Sequence, residues 1–189
     1  MSGLIETIGP CTMARFPGDP FTLLVRCVIY QQISTKAARS IFEKLTTAVG
    51  APTIPLARLE SMTGEEFKVV GISGPKQRTL RAIIEHVKAN PDLLPGLADM
   101  ENEEIHDKLT EIKGVGPWTA DMYLMFGIAR PDVLPVGDYG VRVGIKKQFR
   151  LRKLPDPKKC LKIGEAWRPY RSVASWYLWQ SLNLKPEKE

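Results

Sequence analysis

The segment Leu109-Thr-Glu-Ile-Lys-Gly-Val-Gly-Pro-Trp-Thr-Ala-Asp-Met-Tyr123, with Pro135-Val-Gly-Asp138 downstream of it, decides how this chain reads. Ile105, Leu109 and Ile112 recur at helical spacing, and so do Ala120, Tyr123, Leu124, Gly127 and Ile128, so two helices flank a Gly-Val-Gly turn. Gly114 follows the last apolar position of the first helix, where a left-handed residue without a Cβ closes the turn. Gly116 leaves room for a foreign backbone, and Pro117 suits the first position of the next helix, where its missing N–H costs nothing. The amides of that helix start form a positive pole that suits a phosphate oxygen, and nearby unpaired carbonyls suit a monovalent cation. The turn reads as a sequence-blind phosphate clamp; a plain helix-turn-helix contact is the other reading.

Outward from the hairpin the pattern is helical throughout. Helices are expected at about 20 to 31, 34 to 49, 64 to 70, 75 to 89, 101 to 112, 117 to 129, 139 to 149, 157 to 166 and 169 to 182. Ala37, Ala38, Ile41, Leu45 and Val49 make one apolar stripe, and Leu80, Ile83, Ile84 and Val87 another. In the last helix Tyr170, Val173, Ala174, Tyr177 and Leu178 form a packing stripe, off which Trp179 falls. Proline-containing breaks at 51 to 55, 91 to 95, 131 to 135 and 155 to 157 separate helices without a linker long enough to part independent domains. The first expected helix follows a loop containing Pro17-Gly-Asp-Pro20.

Length and charge narrow the classes. The 189 residues suffice for one well-cored domain. Against 21 acidic residues stand 27 basic ones, a formal charge of +6 that favours a polyanionic partner. Lys146, Lys147, Arg150, Arg152, Lys153, Lys158, Lys159 and Lys162 form the basic stretch; a solvated helix face is its plain alternative. Cys11, Cys27 and Cys160 are widely separated, so neither a disulfide framework nor a metal-ligand spacing can be drawn, and a reducing, intracellular compartment is the expectation. Only His86 and His106 are present, which argues against a histidine-rich metal site. The apolar run Phe21 to Tyr30 is too short to span a bilayer, and no secretory leader pattern precedes it.

Asp138 is the chemical candidate. It stands between a Pro/Gly loop and a helix marked by Val141, Ile145 and Phe149, where a carboxylate also serves as an N-cap; the two roles are compatible. Aromatic side chains are available at Trp118, Tyr123, Tyr170, Trp176, Tyr177 and Trp179, most of them suited to a core.

Together these residues resemble the helix-hairpin-helix (HhH-GPD) DNA glycosylase superfamily, most closely its 3-methyladenine DNA glycosylase II branch. The markers are Val28-Ile-Tyr-Gln-Gln-Ile-Ser34 with Ala37-Ala38, Gly71-Ile-Ser73 with Lys76, Gly114-Val-Gly-Pro-Trp-Thr-Ala120, Asp138, and Trp167-Arg-Pro-Tyr-Arg-Ser172 leading to Trp179. The likeness runs from about Phe21 to Leu182. It implies an all-α, two-lobed fold with the hairpin at the cleft: a six-helix lobe of about 30 to 130 containing hairpin 102 to 129, and a second lobe from the N-terminal segment plus about 131 to 189.

The resemblance also implies roles. Asp138 matches the catalytic carboxylate, which stabilises the positive charge growing on the sugar as an N-glycosidic bond breaks and orients the attacking water. Gly114, Gly116 and Trp118 match the phosphate-clamping amides, with Thr119 beside them. The carbonyls of Thr110, Ile112 and Val115 match those that hold a sodium or potassium ion. Gln32 matches the wedge that enters the duplex where a base has left the stack. Trp118, Trp179, Tyr170 and Tyr123 are the expected base pocket, and an indole face there favours a cationic, alkylated purine.

Strand-cutting members carry a lysine where this chain has Trp118, so an intact abasic site is the expected product. Iron-sulfur members carry four C-terminal cysteines, and only Cys160 lies in that region. Some alkylation-branch members begin with an additional β-rich domain, for which about twenty residues before the first helix leave no room. The implied partner is double-stranded DNA with damaged bases, in the cytoplasm or nucleoid of a prokaryote or the nucleus of a eukaryote. The enzyme is expected to act as a monomer, without a required cofactor, on 3-methyladenine and 7-methylguanine. Other lesions, or a non-catalytic DNA-binding module, are the competing readings.

Overall fold

The computed structural model describes residues 1–184. Among them no strand occurs. The helices in chain order are α1 (Ser2–Ile8), α2 (Pro20–Tyr30), α3 (Thr35–Val49), α4 (Leu56–Ser61), α5 (Gly64–Val69), α6 (Gly74–Ala89), α7 (Leu93–Gly96), α8 (Asn102–Thr110), α9 (Pro117–Met122), α10 (Tyr139–Gln148), α11 (Pro157–Gly164) and α12 (Arg171–Ser181). None is long and apolar enough to cross a membrane.

Every expected helix is present, but three short ones were unforeseen. In α1 only Leu4 is buried, and in α4 only Leu59, so neither leaves a periodic stripe. The turn α7 falls inside the expected break at 91 to 95; Pro95 sits in its first turn, where no helical hydrogen bond is lost. The segment expected as one helix over 117 to 129 changes character at Tyr123. From Tyr123 to Gly127 it widens to a π-helical turn, closed by the Ile128 N–H on the Tyr123 carbonyl at 3.1 Å.

The chain divides into two compact units, one of them Phe16–Ile128. At its centre runs α2, buried at Phe21, Leu23, Leu24, Val25, Cys27, Val28 and Ile29. Each fully buried aliphatic side chain of this kind is worth about 1.5–3 kcal/mol. Asp19 starts α2 by accepting the Thr22 N–H at 3.0 Å and the Thr22 hydroxyl at 2.6 Å, with Pro20 in the first helical position. Also on α2 is the half-buried Arg26, whose guanidinium lies 3.8 Å from the Phe16 ring centre and 4.9 Å from that of Phe42. Packed on α2 are α3, α6, α9 and the π-helical turn. Ser34 caps α3 through the Ala37 N–H, and Arg81 of α6 donates to the carbonyls of Glu60 and Met62 at the end of α4.

The other unit is Met1–Arg15 together with the chain from Ala129 onward. Its core joins Leu134, Val141, Ile145, Cys160 and Leu178. Here α10 and α12 come so close that a Cβ on Gly144 would meet the Leu178 carbonyl oxygen at 2.9 Å. Against α12 also lies α1, with the Tyr177 hydroxyl donating to the Gly9 carbonyl at 2.9 Å. The start of α12 is tied to residues 130–133: the buried Ser172 hydroxyl donates to Arg130 O at 2.7 Å and accepts the Val133 N–H at 3.0 Å. Beside it the Arg171 Nε is 2.6 Å from the Asp132 carboxylate, and Arg168 reaches the same group at 2.8 Å.

Candidate active site

In the unit Phe16–Ile128 the hairpin is α8, its turn and α9. Past α8 the Val115 N–H bonds to the Ile112 carbonyl at 2.9 Å, and Gly114 takes φ +90°, the left-handed region expected of it. A second constraint was not legible: a Cβ on Gly114 would sit 2.1 Å from the Thr79 hydroxyl on α6. Gly116 is different. It is the extended N-cap of α9, followed by Pro117, and nothing lies within 4 Å of where its Cβ would be. The space assigned to an approaching backbone is open in this unit.

Trp118 is half-buried in the first turn of α9. Thr119, expected to face DNA, does not. It is 2% exposed, its N–H bonds to Gly116 O at 2.9 Å, and its hydroxyl accepts the Gln31 side-chain amide at 2.8 Å. Helical periodicity turns it inward with Ala120 while Trp118 stays outside. Tyr123, expected in the base pocket, is 0% exposed in the π-helical turn and presents no surface to a ligand. Gln32 is exposed at the end of α2 with φ +55°, a left-handed conformation that costs a residue bearing a Cβ.

The hairpin carbonyls of Thr110, Ile112 and Val115 are neutral, hard oxygen donors, which suits an alkali cation rather than a soft or highly charged metal. The Ile112 carbonyl already accepts the Val115 N–H and keeps a second lone pair. Among the described residues no group of three or more His, Cys, Asp or Glu is placed to hold a metal. Cys27 and Cys160 are buried; burial pushes the Cys27 thiol up to about 12, so it stays protonated and unreactive.

In the other unit, tight turns deliver Asp138. The Val136 N–H bonds to Leu134 O at 2.8 Å and the Asp138 N–H to Pro135 O at 2.9 Å. The carboxylate then caps α10, its Oδ1 accepting the Val141 N–H at 2.7 Å and the Trp179 indole N–H at 2.8 Å. The cap was legible; the indole contact, between residues 41 apart, was not. Gly140 permits it, because a Cβ there would lie 2.9 Å from Trp179 Cδ1 and 3.1 Å from Asp138 Oδ1. Tyr170 departs from the expected stripe of the last helix: it is the non-helical residue before α12 and 62% exposed, as Tyr139 beside Asp138 is 71% exposed.

A carboxylate held by two donors in one unit and a glycine hairpin with open space before it in the other define a class. The chain belongs to the HhH-GPD superfamily of base excision DNA repair proteins, whose family model matches residues 25–169 and so includes the hairpin and Asp138. It is similar to DNA-3-methyladenine glycosylase 1 of Schizosaccharomyces pombe, 35% identical over 170 residues that cover 88% of this chain and 74% of that protein. The structure of S. pombe 3-methyladenine DNA glycosylase (Mag1) in complex with abasic DNA matches with a TM-score of 0.88 at 31% identity, covering 100% of this chain and 93% of that one. A DNA-3-methyladenine glycosidase from Bacillus halodurans matches with a TM-score of 0.78 at 36% identity, covering 95% and 82%.

Proposed function

We propose that this chain is a monofunctional DNA glycosylase of base excision repair that flips alkylated purines out of duplex DNA and hydrolyses their bond to deoxyribose. The observation that carries this is Asp138. Its Oδ1 is fixed by the Val141 amide and the Trp179 indole, within a chain whose relatives are named 3-methyladenine glycosylases. Two donors hold the carboxylate in one orientation, so negative charge is in place where positive charge develops on the sugar and no reorganisation is needed during the reaction. The same group orients and deprotonates the attacking water. The base leaves more readily when alkylation has made it cationic, and the half-buried indoles, Trp118 in one unit and Trp179 in the other, are each electron-rich surfaces of the kind that favours it.

No amine stands at position 118 to attack the sugar, so the product is an abasic site in an unbroken strand. DNA is held through the open N-terminus of α9 at Gly116 and Trp118, and Gln32 fills the gap left by the base. A sodium or potassium ion on the carbonyls of Thr110, Ile112 and Val115 would add positive charge beside the clamped phosphate. The reaction itself calls for no cofactor. Clamp and carboxylate both come from this chain, so the active species is a monomer, working where the cell keeps its DNA.

The test is base release from methylated duplex DNA. Wild type is expected to release 3-methyladenine and 7-methylguanine, with strand breaks only after alkali. Asp138→Asn is expected to lose excision by at least about a thousandfold while its DNA affinity stays within about threefold. Full activity in that variant would overturn the mechanism. Release of a deaminated or oxidised base in place of methylpurines would move the substrate assignment and leave the chemistry standing.

A further inference from the structure

Gln31 has no place in the roles assigned above, yet its side chain reaches partners 83 and 88 residues further along the first unit. It follows α2 directly, and its Nε2 donates to the Gly114 carbonyl at 3.2 Å and to the Thr119 hydroxyl at 2.8 Å. One amide nitrogen thus binds both halves of the hairpin: the left-handed turn before α9 and the first turn of α9 itself. The next residue is Gln32, exposed and left-handed at φ +55°.

The neighbourhood is pinned from a second side. Lys76 of α6 donates to the Ile29 carbonyl at 2.6 Å, fixing the last turn of α2, and Thr79, one turn further along α6, fills the space against Gly114. A cleft of about 330 Å³ beside this junction is lined by Gln31, Gln32, Ser73, Lys76 and Thr79 among others. The paired glutamines lie past the end of α2 and differ in backbone: Gln31 takes the C-cap at φ −57° and ψ 130° and stays half-buried, whereas Gln32 turns left-handed and exposed.

We propose that Gln31 is a positioning residue that couples the wedge to the phosphate clamp. The role rests on the glycosylase reading. Seating a phosphate on the α9 N-terminus stiffens the turn that Gln31 holds, and the held turn fixes the backbone from which Gln32 projects. Gln31 touches no DNA. Its contribution belongs to the state in which a base has left the stack.

The experiment compares affinity for a duplex containing a tetrahydrofuran abasic analogue with affinity for the same undamaged duplex. Wild type is expected to prefer the abasic duplex. Gln31→Leu, similar in length but without a donor, is expected to lower that preference about tenfold, the scale of two ordinary hydrogen bonds, with undamaged-duplex affinity within about twofold. Thr119→Val keeps the shape and removes the acceptor, so it moves the preference the same way; Thr119→Ser restores it. The double variant Gln31→Leu/Thr119→Val falls short of the product of the two single effects, because both remove one shared bond.

Unchanged preference in Gln31→Leu overturns the proposal. So does a fall in preference matched by equal losses of undamaged affinity and thermal stability, which marks a merely structural residue, and so does full multiplicativity in the double variant. Absence of any abasic preference in wild type overturns the glycosylase reading and this role with it, and is told apart by the wild-type measurement alone.

Discussion

The two hairpin glycines are confined in opposite ways, and substitution separates them. Gly114 combines φ +90° with Thr79 pressed against the place of its missing Cβ, so Gly114→Ala incurs both left-handed strain and overpacking. A loss of about 2–4 kcal/mol in unfolding free energy is expected, read from denaturant titration. Gly116 has an extended backbone and empty surroundings, so Gly116→Val leaves stability within about 0.5 kcal/mol but weakens duplex binding by blocking the phosphate approach. Unchanged affinity in that variant would remove the clamp assignment. Sequence alone made both glycines legible as a turn. It did not reveal that one is held by α6 and the other faces space, because Thr79 is far from both in sequence. Asp138 was legible as a cap for a similar reason, a local loop-to-helix boundary, while Trp179 on its carboxylate depended on a contact across 41 residues. Thr119 and Tyr123, expected at the DNA interface and in the base pocket, are instead 2% and 0% exposed, because their positions on the hairpin's second helix and its π-helical turn face the core. Gln31 was not legible either, because its partners Gly114 and Thr119 lie 83 and 88 residues away.

Among elements, those with a long apolar stripe were readable, while most short helices burying a single side chain were not; α5, which buries only Phe67, was expected all the same. The stripes of α3 and α6 repeat over several turns, whereas α1, α4 and α7 each bury one residue and are defined by what they pack against. The entry into α12 is likewise tertiary. Asp132 and Arg171 are 39 residues apart, and their pairing anchors the helix start next to the buried Ser172 hydroxyl. Burial works against the Asp132 charge, but the hydrogen bonds and charge of Arg171, with Arg168, outweigh it and hold its carboxyl below the ordinary value. A depressed carboxyl pKa stabilises the fold above the unfolded value of about 3.9, and that stabilisation is lost as pH falls through the folded value. Asp132→Asn is therefore expected to lower Tm at pH 7, with the gap to wild type closing as pH falls below the unfolded value and through the lowered folded one. Thermal melts across that range check it; a gap independent of pH would exclude the ion pair as the cause.

For the molecule as a whole, charge has a measurable consequence. Lys146, Lys147, Arg150, Arg152, Lys153, Lys158, Lys159 and Lys162 are all exposed on the second unit, although the Lys147 ammonium also donates to the Ser181 carbonyl at 2.7 Å. Duplex affinity should fall with salt at a log–log slope of about −3 to −5, the signature of three to five neutralised phosphates. Asp138→Asn should keep that slope, because the proposed mechanism places the carboxylate against the sugar and water rather than the backbone. A slope near zero would detach the basic surface from DNA. The left-handed Gln32 sets a different kind of limit, on how this protein can change. Glycine there would relieve the backbone, and Gln32→Gly is expected to raise Tm by about 2–4 °C while abolishing the preference for abasic duplex. If Gln32 is the wedge proposed above, heat resistance and repair pull position 32 in opposite directions, and a library selected for thermal survival alone would shed it before it touched the core.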